Sequence, residues 1–564
     1  MIRREVDEKF DMVVVGTGWY GLAAARAYIA LHPEEGILVM EAADTCGGTW
    51  GEQRIYPGLK SNNLVGRYEY PDFPLGANEV RYGVKKDEHI PGAVLHQYLT
   101  DFAKGYGVFE RTRFNTKLES VSPNGDAGWI LDVSTATGSQ LMQTRKLILA
   151  TGLTSMPNIP KYTGQESFEA PFFHAKDFHK QRDTMVTSKN AVIIGGAKSA
   201  FDVAWAYCEA GVQVDLIIRP DGNGPVWISP PYVTPFKKQL ECLLHVRALS
   251  WMSPCPFGAE DGFARIRNCL HGSWLGRKIV DTFWSVLQAD IIDLMGWNKH
   301  TETAKLKPWN APFWTGTALS IHNWDNNFNE LVKSGKIRVH IADVDHFSPK
   351  KVHLTTGDIL DADVIICSTG WKRDPSVKFL DFDKAGIGLP QSLKEQAILK
   401  AKADNDILTM FPRLKDQPKL RGAPKDIEPY RLYRFIVPPA FVKTHNIAFA
   451  GAISSISTSI SATIQGLWIS AFLDGKLDRL ATSNEEIAKE VMLHTQWGKW
   501  RYPCGYGASL PDIVFDCVPY NDLLLRDLGM EVHRKKGFWR DTFTWYGPAD
   551  YKGLIEEWVE RKGE

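Results

Sequence analysis

The chain has 564 residues, of which 44% are hydrophobic and 23% charged, with 66 Lys and Arg balancing 66 Asp and Glu. That is the composition of a globular protein with a large core. Zero net charge speaks against a nucleic-acid binder and against a disordered acidic chain, and the length allows roughly three to four domains or two large ones. One count stands out, 19 Trp.

Met12 to Val15 reads as a buried strand, followed by Gly16-Thr-Gly18-Trp19-Tyr20-Gly21 and an Ala-rich helix. A second strand, Ile37 to Met40, ends at Glu41. Gly16 permits the tight turn, Gly18 lets backbone approach a pyrophosphate, and Gly21 lets helix and strand pack closely. Glu41 lies 23 positions past Gly18, where a carboxylate can accept a hydrogen bond from a ribose hydroxyl. A lone glycine motif is weak; with strand, helix and acid in order it is strong.

Further on, the strand Lys146 to Leu149 exits through Ala150, Thr151 and Gly152. A second unit begins at Ala191 to Ile194 and turns through Gly195, Gly196, Ala197, Lys198, Ser199 and Ala200. Its second strand, Val214 to Ile218, ends in Arg219 instead of an acid. An arginine can grip a 2′-phosphate, so this site reads as NADP(H), with Lys198 adding charge near the same phosphates. A strand from Asp363 exits through Thr369 and Gly370, again at the end of a strand where a cofactor crevice is expected.

The expected fold is α/β, with two dinucleotide-binding (Rossmann-type) domains. The expected division is 1–185 for the first part of a discontinuous first domain, 186–350 for the second, 351–480 for the return to the first, and 481–564 for a helical and loop-rich extension. A mostly helical insertion is expected from Gly224 to about Trp324. Eight Trp fall in the 98 residues from Trp227 to Trp324. They either pack the insertion's own core or line a wide apolar pocket.

The eight Cys are scattered and form no CxxC pair, which disfavours a disulfide framework and a metal site. No apolar leader and no run long enough to span a membrane is visible. The simplest reading is a reduced, cytoplasmic protein. Two dinucleotide folds also occur in disulfide reductases, but that chemistry needs a redox Cys pair, and Cys46 has no partner following it.

The ordered motifs resemble those of the class B flavoprotein monooxygenases, the flavin-containing and Baeyer–Villiger monooxygenases. The likeness runs over nearly the whole chain. It includes the first glycine motif with Glu41, Gly47-Gly48-Thr49-Trp50, Tyr56 to Leu59, Asn115 to Val121 and the second glycine motif. The family fingerprint appears altered, as Phe168, Ala170 in place of Gly, His174 and Phe178. Phe178 where the Baeyer–Villiger branch has Trp, and Asn62 where it has Asp, lean toward the flavin-containing branch.

The resemblance implies FAD in the first domain and NADPH on the second. It implies hydride transfer to the flavin, a C4a-hydroperoxide formed with O₂, and oxygen transfer to a small organic substrate, at nitrogen or sulfur. Asn62 is the expected catalytic partner, with Asn63 as the rival assignment. The FAD contacts implied are Gly16, Gly18, Trp19, Tyr20, Gly21, Glu41, Gly48, Thr49, Trp50, Ser61, Asn62, Val121, Ala150, Thr151, Gly152 and, at the flavin edge, Gln465. His174 is expected to fix the interdomain linker. The flavin carries the redox chemistry, so no metal and no catalytic triad is expected. Baeyer–Villiger oxidation of a ketone, a flavin oxidase or dehydrogenase, and a non-catalytic flavoprotein remain the alternatives. The expected partners are the substrate and O₂, with no nucleic acid and no membrane span; a homodimer is left open.

Overall fold

Two sheets carry the two glycine turns. The computed structural model describes residues 6–76, 79–234, 237–384, 386–388, 396–422 and 427–563. The first sheet is centred on β1 (Glu8–Val15), which pairs in parallel with β2 (Ile37–Met40) and with β3 (Gly138–Leu149). Strands Lys117–Pro123 and Trp129–Thr135 extend it as an antiparallel meander. The chain returns late to add Ile447–Phe449 beside β3. The runs at Met12–Val15 and Ile37–Met40 are continuously apolar because parallel strands are covered on both faces.

The second sheet is wholly parallel. It consists of β4 (Phe172–His174), β5 (Asn190–Ile194), β6 (Gln213–Ile218), β7 (Ile337–Ile341) and β8 (Val364–Cys367), in the spatial order β7-β6-β5-β8-β4. This corrects two expected boundaries. Residues 172–174 and 364–367, assigned to the first domain as parts of 1–185 and 351–480, hydrogen-bond into the second sheet. An apolar strand ending in a glycine turn looks the same in either sheet, and only the ladder decides. The two chain crossings lie side by side, where Pro157 and Trp371 form an isolated bridge.

The insertion is helical, as expected, and its ends are clasped by a short parallel pair, Trp227–Ser229 with Leu319–Ile321. Its tryptophans do not form a core of their own. Trp251, Trp284 and Trp314 join the core of the first domain and the C-terminal extension, beside Trp497, Phe515 and Tyr520. Trp227, Trp297 and Trp324 join the core under the second sheet. Trp274 is exposed. The region after residue 481 carries the helices Asn484–Arg501, Cys517–Asp527 and Leu554–Lys562. Among the described residues, no helix is long and apolar enough to cross a membrane.

The helix after β1, α1 (Trp19–Leu31), lies against the helix Thr458–Leu473, which is buried along almost its whole length. Gly466 sets their spacing, since a Cβ there would stand 2.7 Å from the Ala23 carbonyl oxygen. In an ordinary helix Gly→Ala is worth about 1 kcal/mol in favour of folding. At this contact two backbones must separate, and overpacking costs about 1–3 kcal/mol. Gly466→Ala is therefore expected to lower the thermal midpoint. A raised midpoint would show that the helices are not in backbone contact.

Candidate functional site

The first glycine turn is a backbone-walled cradle. Gly16 has φ +107°, and a Cβ there would meet the Ala150 carbonyl oxygen at 2.4 Å. A Cβ on Gly21 would sit 1.9 Å from the Gly16 carbonyl oxygen. Gly18 caps α1 without any side-chain cap, so first-turn N–H groups remain available to an anion. Opposite it stands Gly48 at φ +59°, where a Cβ would approach the Gly18 Cα to 3.1 Å. Thr49 beside it is exposed. Glu41 sits at the end of β2, its carboxylate accepting from Thr17 N and Oγ1 at 2.9 and 2.7 Å and from Ala43 N at 3.0 Å. Trp50 Nε1 donates to the Tyr68 hydroxyl at 3.3 Å. Trp19 turns inward, onto Tyr68 and Tyr70. The Tyr20 hydroxyl is buried without a hydrogen-bond partner among the described residues. A pyrophosphate-bearing dinucleotide such as FAD fits these features. The glycines supply the close approach, the helix start supplies donors, and Tyr20 keeps an unspent polar atom.

A cavity of about 350 Å³ brings together residues from four parts of the chain. Asn62 lines it, as do Gly196, Ala197, Lys198 and Ser199 of the second glycine turn, and Trp227 and Trp309 of the insertion. Cys504 to Tyr506 of the C-terminal extension close one side, a contribution not foreseen from sequence. The turn itself follows the first. Gly195 has φ +148°, and a Cβ would meet the Ser368 carbonyl oxygen at 2.4 Å. The helix α2 (Lys198–Glu209) again starts without a side-chain cap. Ala200, at the third motif position, is wholly buried.

The two neighbouring asparagines have different surroundings. Asn62 is exposed to the cavity, its Oδ1 accepting from the Ser320 hydroxyl at 3.1 Å. Asn63 points inward and donates to Glu241 Oε1 at 2.5 Å and to the Ile456 carbonyl at 3.3 Å. Ser61 is buried and donates to the Asn63 carbonyl at 2.5 Å, so it shapes the strand from within. Glu241 also accepts from Leu64 N at 3.3 Å. Burial pushes its carboxyl up to about 7, against the opposing pull of the Asn63 hydrogen bond. The signal for Glu241 was an acid within the apolar run Leu240-Glu241-Cys242-Leu243-Leu244.

Several expected contacts are placed elsewhere. Lys198 spends its charge inside the protein. Its ammonium is ion-paired with Asp202, donates to Asn323 Oδ1 at 2.8 Å and lies 4.3 Å from the Trp324 ring centre. Asp202 in turn accepts from the Tyr56 hydroxyl at 3.1 Å and Trp324 Nε1 at 2.9 Å. Arg219 does stand exposed at the end of β6, with Asp221 at 3.4 Å. Val121 is buried in the first sheet, its carbonyl accepting from Leu380 N at 2.9 Å. Gln465 is likewise fully enclosed. It accepts from Gly451 N at 2.9 Å and donates to the Tyr520 hydroxyl at 2.7 Å, so it supports the Gly451 turn instead of presenting itself to a flavin edge.

Ala150 N donates to the Val15 carbonyl at 2.8 Å. Thr151 and Gly152 line a groove with Gly451 at the ends of the first sheet's strands. Thr369 and Gly370 are engaged by the interdomain crossing. Asn158 N donates to the Gly370 carbonyl at 3.0 Å, and Thr369 Oγ1 donates to the Asn158 carbonyl at 2.5 Å. His174 joins this clamp. Its Nε2 is 3.0 Å from the Gly370 carbonyl, and its Nδ1 accepts from Lys176 N at 3.1 Å, which makes Nε2 the donor. Burial lowers its pKa. The neutral ring holds the linker, as the sequence suggested.

Residues 13–246 match the family model described as pyridine nucleotide-disulphide oxidoreductase. All eight cysteines are nevertheless unpaired, and burial pushes the Cys46 thiol up to about 11. The chain is 31% identical to the FAD-dependent monooxygenase rstn6 of Aspergillus nomiae, over 98% of this chain and 99% of that one. It is 32% identical to an FAD-dependent monooxygenase of Pyrenophora dematioidea, over 93% and 99%. A cyclohexanone-bound structure of cyclohexanone monooxygenase shares the fold, with a TM-score of 0.60 at 16% identity, over 99% of this chain and 98% of that one. With its two nucleotide folds, its glycine cradle and full-length relatives of this kind, the chain belongs to the FAD-dependent monooxygenases.

Proposed function

We propose that the protein is an NADPH- and O₂-dependent monooxygenase that oxygenates a small organic metabolite at nitrogen or sulfur. The observation that carries this reading is Asn62 facing the same cavity as the second glycine turn. FAD, when bound, supplies the redox chemistry and the activation of O₂. The protein's part is to bind, orient and exclude water. Ser320 holds the Asn62 carbonyl oxygen, so the amide nitrogen is turned to act as a donor that carries no transferable proton of its own. Trp227 and Trp309 supply the apolar wall beside it. Arg219, free of the core, is the group suited to a 2′-phosphate. Lys198 is a tie between domains.

Asn62→Ala is expected to keep its FAD but to release a larger share of consumed NADPH as H₂O₂. Product yield per NADPH, measured with an amine, a thioether and a ketone, checks both the role and the reacting atom. An unchanged yield removes Asn62 from the reaction, and transfer to the ketone alone replaces the nitrogen or sulfur reading.

Arg219→Ala is expected to raise KM for NADPH by about tenfold or more, the size of a charge-assisted hydrogen bond, while leaving NADH nearly unaffected. Lys198→Ala should show no such preference and should instead lower the thermal midpoint. Equal losses for both nucleotides in Arg219→Ala would refute the 2′-phosphate assignment.

Glu241 gives a pH prediction. Its carboxyl titrates at about 7 when folded, against about 4.3 in an unfolded chain. Between those values the unfolded state has already lost the proton, so stability falls as pH rises through the window. Glu241→Gln keeps a neutral amide at the site and should flatten the decline of thermal midpoint from about pH 5 to about pH 7. Identical slopes in the two proteins would mean that Glu241 is ionised throughout.

A further inference from the structure

A second cavity, of about 390 Å³, lies outside the cofactor cleft. It is walled by the helix Leu240–Leu244, by the long insertion helix α3 (Trp274–Met295) and by Phe515. Leu243, Leu244, Leu249, Phe283 and Leu287 are only half-buried, because they face this space instead of closing on one another. The hydroxyls in its wall are spent on the protein. Ser250 Oγ donates to the Arg247 carbonyl at 2.6 Å, and Ser253 Oγ accepts from Arg501 Nη2 at 3.1 Å. The Thr234 hydroxyl donates to Asp290 Oδ1, and Thr234 N donates to Asp290 Oδ2 at 2.8 Å. Walls of this kind hold water poorly and take apolar ligands of matching volume.

The rim differs from the interior. Val286 is 56% exposed there, and the same helix also exposes Leu275 and Ile279. Lys238 lines the cavity and is exposed, and its ammonium has neither ion pair nor hydrogen bond among the described residues. Asp290, on the same helix as Val286, is already engaged by Thr234. An apolar chamber with a free cation at its mouth matches a molecule with a hydrocarbon body and an anionic end.

We propose that this cavity is a binding site for an amphipathic carboxylic acid, its chain inside and its carboxylate at Lys238. The site does not depend on which atom the enzyme oxygenates.

The test is calorimetric titration of the FAD-loaded full chain with decanoate below its micelle concentration, with decanol as the uncharged probe. One decanoate should bind per chain. Leu287→Trp, which fills the chamber, should weaken it by roughly tenfold or more, the worth of one buried side chain. Val286→Asp changes an exposed rim position that folding does not need, and should weaken it comparably while FAD content and NADPH oxidation without decanoate stay unchanged. Lys238→Glu should weaken decanoate roughly fivefold and leave decanol as it was. Absence of binding, multiple weak binding, or affinities unmoved by Leu287→Trp and Val286→Asp would overturn the site. Equal effects of Lys238→Glu on decanoate and decanol would overturn the carboxylate assignment.

Discussion

The geometry of the cleft depends on one buried carboxylate. Asp202 is 8% exposed, and its oxygens receive the Tyr56 hydroxyl, the Lys198 ammonium and the Trp324 indole N–H. Each donor comes from a different part of the chain: the loop after the first cradle, the start of α2, and the end of the insertion. A carboxylate cannot be buried without such partners, and removing one would leave the others uncompensated. The network extends through Lys198 to Asn323, whose amide donates to the Lys60 and Ser61 carbonyls at 3.1 Å each. The strand that carries Asn62 is therefore tied to the second glycine turn. The cleft between the domains has a defined width because this junction has a defined stoichiometry of donors and acceptors.

What could be read from the sequence was local. At the first cradle, strand, turn, helix and acid lie within one continuous stretch, and every constraint on Gly16 and Gly21 comes from atoms that the motif itself brings near. The second turn was legible for the same reason. Chain crossings were not. Phe172–His174 and Val364–Cys367 pair inside the second sheet through hydrogen bonds between segments nearly two hundred residues apart, and nothing in either segment names its partner. Lys198 shows a related limit. A lysine in a phosphate-binding turn suggests charge for the ligand, but Asp202 one helical turn later claims it. Gln465 and Val121 take their expected contacts from family position, and both are wholly buried.

The tryptophans illustrate a harder limit. Their concentration between residues 227 and 324 marked the insertion as a distinct body, yet the insertion has no separate core. Three of its indoles enter one domain's core and three enter the other's. Large aromatics carry much of the buried area wherever they settle, so composition shows that something must be packed without showing against what. The indole N–H groups confirm how the packing is oriented. Trp227 donates to the Asn310 carbonyl at 2.8 Å and Trp284 to the Met252 carbonyl at 3.0 Å. Both bonds stay inside the insertion while the rings reach outward.

The short helix Leu240–Leu244 joins these themes. One face directs Glu241 at Asn63, inside the strand that presents Asn62. The other face lines the apolar cavity with Leu240, Leu243 and Leu244. A five-residue helix has too few internal hydrogen bonds to hold its own position. Its placement comes from what lies on either side. On the first side that is a buried carboxyl held by the Asn63 amide and the Leu64 N–H, a polar contact whose strength changes with the proton on Glu241. On the second it is contact with apolar side chains, which strengthens as the area removed from water grows. Any change in either, by titration or by filling the cavity, acts on the same element. Asn63, which that element holds, is the immediate neighbour of Asn62 in one strand. The insertion thus does more than cover the cleft: it supplies the support that sets which asparagine faces it.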